Sequence, residues 1–313
     1  MELPDDLRPL AEGLLGRPEL TAAEVARDAG VDLDMARRLW RALGFPPVDD
    51  EARVFTRSDV TVLRAVGTLL EREQRDPAVV VQLTRVMGRS LSIIADALAA
   101  AARDWQEPPA DAGGGAAPAL IVELEHLIGY VWRRHLLAAL LRRAASPAAA
   151  AGSTVVGFAD LVGFTALSQA LDPKDLAVIV DRFEAIAYEH VPEHGGRVVK
   201  MIGDEVMFAV DTPQAAVEIA LGLVEAHARA AELPDVRVGL ARGPTLAWEG
   251  DVYGPTVNLA SRLVNVARPG TVLVSDALGQ DLREEPGLTL RHLRPVRLQG
   301  IGRVRSWVVR RAA

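Results

Sequence analysis

The chain has 313 residues with 35 Lys plus Arg against 42 Asp plus Glu, a net charge of −7. At roughly 150 residues per domain this length predicts two domains, each able to bury its own core, and the acidic balance argues against nucleic acid as a partner. The absence of cysteine excludes disulfides, thiolate metal sites and thiol nucleophiles, while the acidic start MELPDDLRPLAEG and the lack of a long uninterrupted apolar run predict no secretory signal, no membrane span and a cytoplasmic location.

In chain order, Thr21 and Glu24 form a capping-box pattern for a helix ending at Gly30. A second helix runs from about Asp34 to Gly44, before Pro46-Pro47. Thr56 and Asp59 open a third, apolar at Val60, Leu63, Val66 and Leu70, and Pro77 starts a fourth that continues to about Arg103. The segment EPPADAGGGAAP, 107–118, reads as a linker, and 119–144 as one long helix, apolar on nearly every side and so in need of burial from two directions. A domain of helices over 1–145 is therefore predicted, followed by a small-residue linker at 146–153.

From 154 to 313 strands and helices alternate. Thr154 to Asp160 reads as a buried strand and 172–191 as a helix. Arg197 to Val210 reads as two strands turning at Gly203-Asp204, followed by a helix at 213–232 and a strand at 236–242. Another helix begins near Thr256 and a strand covers 271–274. The order βαββαβ is that of a ferredoxin-like α+β sandwich with elements appended.

Three segments carry residues suited to chemistry. In TVVGFADLVGFTALS, Asp160 ends a strand that opens into a Gly-containing loop and a helix, offering a carboxylate to a hard cation and free amides to phosphate oxygens. In VVKMIGDEVMFAV, Asp204 stands at the turn, and Lys200 is a charge in an apolar strand that needs a partner. In GDVYGPTVNLASRL, Asn258 and Arg262 lie four apart on one helix face, suited to a hydroxyl and a phosphoryl group, with Asp251 in the preceding loop. Taken singly, each also fits a strand end, an ordinary turn or a surface hydrogen-bonding pair.

Together, FADLVGFTALS, VVKMIGDEVM and GDVYGPTVNLASRL resemble, in order and spacing, the catalytic domain of class III nucleotidyl cyclases. The resemblance implies that Asp160 and Asp204 hold two divalent ions, Mg or Mn, over a triphosphate. It implies that Lys200 and Asp251 read adenine, making ATP the substrate, that Asn258 orients the ribose, and that Arg262 stabilises charge at the α-phosphate. It implies further that the amides of Gly163, Phe164 and Thr165 cradle the β and γ phosphates, and that a head-to-tail homodimer shares its sites between subunits. Family members often carry a lysine near the carboxy-terminal strand; here RLQGIGRVRSW offers Arg297 and Arg303 instead. The GDE triplet 203–205 is superficially similar to diguanylate cyclases, but Ile202 stands where their first glycine belongs.

The amino-terminal half resembles the helical pH-sensing regulatory domain of bacterial adenylate cyclases, through LTAAEVARDAGV and RRLWRALGFP. That likeness implies a dimerising inhibitory domain released as pH falls. From the residues themselves, His126, His135, His190 and His194 are candidate titrating groups for such a response, and each also fits an ordinary surface or satisfied core histidine. Residues 21–44 also resemble a helix-turn-helix, yet their charges balance and the surrounding region is acidic, which disfavours DNA. Two alternatives remain: a catalytically silent nucleotide-binding sensor of the same fold, and a DNA-binding regulator through residues 21–44.

Overall fold

The computed structural model describes residues 8–72, 76–104, 116–145 and 153–312. The chain divides after Arg134 into two compact units. In the first, α1 (Arg8–Leu15), α2 (Ala22–Ala29), α3 (Leu33–Leu43), α4 (Arg57–Arg72) and α5 (Pro77–Asp104) succeed one another, and α6 (Ala116–Ala145) carries the division.

Local rules explain most of these boundaries. The Thr21 hydroxyl accepts from the Glu24 amide at 3.3 Å and the Glu24 carboxylate from the Thr21 amide at 2.8 Å, while Gly30 ends α2 in the left-handed region. The next helix starts earlier than expected because Asp32, not Asp34, caps it by accepting from the Met35 amide at 3.0 Å. Asp59 accepts from both the amide and the hydroxyl of Thr56, at 2.7 and 2.9 Å. Leu20, Val25, Ala36, Leu39, Val60 and Leu63 close the core of this unit. The helix at 8–15 was not expected from the sequence.

Within α5, Pro77–Ala101 is long and apolar enough to cross a membrane by length and composition. Arg85, Arg89 and Asp96 interrupt it, so a search for an unbroken apolar run passes it by. Of the expected linkers, 107–115 and 146–152 lie outside the described residues, while Ala116, Ala117 and Pro118 already belong to α6. Val122, Leu127, Tyr130, Trp132, Leu136 and Leu140 of α6 are exposed, in keeping with a helix apolar all round.

The second unit contains β1 (Ser153–Leu161), α7 (Phe164–Ala170), α8 (Pro173–Glu193), β2 (Arg197–Ile202), β3 (Glu205–Val210), α9 (Pro213–Arg229) and β4 (Val236–Pro244). The hairpin β5 (Leu246–Trp248) and β6 (Asp251–Tyr253) follows, then α10 (Pro255–Val266), β7 (Val272–Ser275), α11 (Asp276–Asp281), β8 (Leu288–His292), β9 (Val296–Leu298), β10 (Gly302–Val304) and β11 (Ser306–Arg311). The main sheet runs β2-β3-β1-β4-β7-β11-β8. Its first four strands are antiparallel and, with α8 and α9, form the expected ferredoxin-like βαββαβ layout. β7 then joins β4 in parallel, and β11 and β8 extend the sheet.

Period-2 alternation sorts the sheet's two faces. Val155, Ala159, Leu161, Phe208 and Leu240 pack with Phe183 and Ile186 of α8 and with Ile219 and Leu223 of α9. On the other face Val156, Phe158, Met207, Ala209 and Ala241 pack with Ala260 and Val264 of α10. That helix lies close because Gly239 has no side chain: a Cβ there would stand 2.6 Å from the Ala260 carbonyl oxygen.

Candidate active site

The side chain of Asp160 continues the Val156–Phe158 series onto the α10 face at the end of β1. In register it lies between Glu205 of β3 and Arg237 of β4, so a carboxylate, a carboxylate and a guanidinium form one row across three strands. Asp204 is brought to the same end by the turn before β3, where its carbonyl accepts from the Leu161 amide at 3.0 Å. Arg237 grips Asp160 Oδ2 through Nε at 2.7 Å and Nη2 at 2.6 Å, a two-pronged ion pair with both side chains mostly buried. Burial raises the Asp160 pKa, Arg237 opposes the rise and Asp204 adds to it. Burial, then the charges of Asp160 and Asp204, push Glu205 up to about 7.

This arrangement fits divalent cations. The carboxylates repel one another's ionised forms, and a guanidinium stands in as the positive charge on Asp160. Among the described residues no group of three or more His, Cys, Asp or Glu is placed to hold an ion. Asp160 and Asp204 would therefore need further oxygen ligands from a substrate.

The loop after β1 leads into α7, whose first turn starts at Gly163 and is capped by no side chain. The amides of Phe164 and Thr165 consequently have no partner within the helix.

On the same face, Lys200 Nζ donates to Asp251 Oδ2 at 2.5 Å. Asp251 is buried in the β5–β6 hairpin, and its other oxygen accepts from the Val252 amide at 2.7 Å. Burial pushes the Asp251 pKa up, but the Lys200 and Val252 hydrogen bonds outweigh it and leave the carboxyl below its ordinary value. The Tyr253 ring centroid lies 5.9 Å from Lys200 Nζ. The partner that Lys200 requires is thus Asp251, 51 residues downstream.

Asn258 and Arg262 project from one exposed side of α10, two consecutive turns after its start at Pro255. Arg297 and Arg303 stand directly opposite each other across the β9–β10 hairpin. Sequence reasoning missed Arg237, Glu205 and Arg197. The signal for the first two was the strand register, which places them beside Asp160; alternation alone does not disclose it. Among the histidines, it is the unconsidered His227 that is buried, with Nδ1 3.0 Å from the Pro234 carbonyl and Nε2 without a partner.

The adenylate and guanylate cyclase catalytic domain model matches residues 147–311, more than half of the chain. The protein belongs to that family of nucleotidyl cyclases. Residues 7–112 match the adenylate cyclase regulatory domain, a match that includes the 21–44 segment. An adenylate cyclase of Streptomyces coelicolor is 36% identical over 298 residues, covering 89% of this chain and 76% of its own. One from Glutamicibacter nicotianae is 34% identical over 93% of this chain and 79% of its own. A pH-sensitive adenylate cyclase of Mycobacterium tuberculosis is 33% identical over 94% of this chain and 79% of its own. Among solved structures, the guanylate cyclase domain of a Catenaria anguillulae protein in complex with GTP aligns with a TM-score of 0.48 at 23% identity, over 52% of this chain and 98% of that one. The adenylyl cyclase CyaB of P. aeruginosa aligns with a TM-score of 0.46 at 21% identity, over 52% of this chain and 95% of that one.

Proposed function

We propose that this protein is an adenylate cyclase that converts ATP to 3',5'-cyclic AMP and pyrophosphate as a cytoplasmic homodimer with shared sites. The observation that carries the choice of purine is the Lys200–Asp251 pair, a donor beside an acceptor at 2.5 Å on a partly enclosed surface. Adenine offers the complement, a ring nitrogen that accepts and an exocyclic amine that donates. Guanine offers the reverse and would leave two polar groups facing like partners. At about 1–3 kcal/mol for each unmatched group, ATP is favoured on the order of thirty- to ten-thousand-fold.

Asp160 and Asp204 would hold two divalent ions, Mg or Mn, which when bound neutralise the triphosphate and acidify the ribose 3'-hydroxyl. The chain's own groups do the rest. Gly163, Phe164 and Thr165 direct amides toward the β and γ phosphates, Asn258 orients the ribose, and Arg262 meets the charge that develops on the α-phosphate as the 3'-oxygen attacks in line and pyrophosphate leaves. The exposure of Asn258 and Arg262 on α10 supports their serving a site completed by a second copy of the chain.

The two domains are proposed as a helical regulator over 1–145 and a catalytic domain over 154–313. The likeness to a pH-sensitive relative supports regulation that responds to pH.

Purified protein with Mn and labelled ATP or GTP provides the test. Cyclic AMP from ATP, with little cyclic GMP from GTP, is the expected result. Nucleotide binding without cyclic product would instead identify a silent sensor of the same fold. A salt-dependent mobility shift with DNA would revive a role for residues 21–44 in DNA binding.

A further inference from the structure

Strand β2 departs from alternation beside the residue assigned to the purine. Val198 pairs with Phe208 and Lys200 with Met207, leaving Val199 as an extra residue between them. The bulge puts Arg197, opposite Ala209, and Lys200, opposite Met207, on the same face of the sheet. In a regular strand a spacing of three would send them to opposite faces. Both side chains instead reach the β5–β6 hairpin. Lys200 binds Asp251, and Arg197 Nη1 donates to the Gly250 carbonyl at 3.3 Å.

The hairpin's connection is Glu249-Gly250, between the paired Trp248 and Asp251. Both connecting residues have positive φ, 53° and 80°. This is the type I′ pattern, for which Asn-Gly is preferred. Glu249 is the sole non-glycine residue with positive φ among those described. A turn that its own sequence disfavours persists when surrounding groups hold it. Arg197 supplies such a hold from a different strand; burial and the nearby Arg142 lower its pKa, and Asp251 and Asp211 oppose the fall.

We propose that Arg197 is a positioning residue for purine recognition: by binding the Gly250 carbonyl it fixes the disfavoured Glu249-Gly250 turn and so holds Asp251 against Lys200. This rests on the reading of Lys200 and Asp251 as the purine-reading pair. In the full chain, Arg197→Met should raise the KM for ATP about tenfold, the scale of one hydrogen bond from a charged donor. The fall in kcat should be smaller, and the ATP-over-GTP ratio of kcat/KM should drop by a similar factor of about ten. Adding Glu249→Asn to Arg197→Met should restore much of both, because Asn-Gly holds this turn unaided. A merely structural Arg197 would not be rescued by a change in the turn.

Lys200→Glu serves as the reference. If it leaves the ATP-over-GTP ratio unchanged, the purine-reading assignment falls and the role of Arg197 falls with it. If Lys200→Glu collapses the ratio while Arg197→Met leaves both the ratio and the KM as they were, the positioning role alone is overturned. A failure of Asn at 249 to rescue an impaired Arg197→Met protein also overturns it. Should Arg197→Met not fold, as judged by its melting curve, Arg197→Gln, which is uncharged and too short to reach Gly250, takes the same readings.

Discussion

His227 has its ring enclosed by α8 and α9 and only 2% of its surface exposed, with Phe183 packed edge-on at 5.6 Å between ring centroids. Burial lowers its pKa, the Pro234 carbonyl and Asp235 oppose the fall, and His190 adds to it. An unfolded chain takes up this proton near pH ~6.5, while the folded chain does so only at a lower pH. The stabilisation from a neutral His227 is therefore complete above the unfolded pKa and is lost as pH falls toward the folded one. The melting temperature should decline between about pH 7 and 5, and His227→Gln should flatten that decline. An unchanged slope in the variant would place the acid sensitivity on other groups. Lys200 was legible in the sequence because it is one of only two lysines, set in an apolar strand. Arg237 and Arg197 were not, since nothing local separates them from the many other arginines; their meaning comes from which residue stands across the strand and on which side of a bulge they fall.

Elements with strong local chemistry were readable: capped α2, Pro-started α10 and the strand–turn–strand around Gly203-Asp204 all stand where the pattern puts them. The β5–β6 hairpin was not, because three-residue strands are too short for alternation to register and Glu249-Gly250 is not the usual turn pair. The carboxy-terminal strands escaped for a similar reason. The approach of α10 to β4 makes Gly239→Ala a test at this level. The added methyl would meet the helix backbone at Ala260 and Val264, atoms that cannot rotate away. Overpacking of this kind costs about 1–3 kcal/mol. The variant should melt several degrees lower, on the order of 4–8 °C per kcal/mol for a small domain and less for a larger one. Its turnover should fall further than its substrate affinity, because Asn258 and Arg262 ride on the displaced helix. An active variant with unaltered melting would show that the helix can shift freely.

Two copies of the chain are needed if the acidic groups of one serve with α10 of the other, and mixing variants measures this directly. Asp160→Ala and Arg262→Ala chains should each be nearly inactive alone. Random pairing makes about half the dimers mixed, each with one intact site of two, so roughly one quarter of the unsubstituted rate should return. No recovery, with mixed dimers demonstrated, would place each site within a single chain. The alternation of helices and strands already separated the two halves in the sequence, whereas a shared site depends on a surface that no single strand or helix pattern describes.

The guanidinium on Asp160 gives the carboxylate at the end of β1 a counterion of its own. One guanidinium at this end of β1 faces Asp160, Asp204 and Glu205, so it offsets only part of their charge, and a cation must compete with it for Asp160. A polyphosphate competes for guanidinium groups in a way that a bare ion cannot, so a nucleotide carrying its cation is the cargo best equipped to separate this couple. On the proposed reading of this site, loading is thereby biased toward the two arriving together.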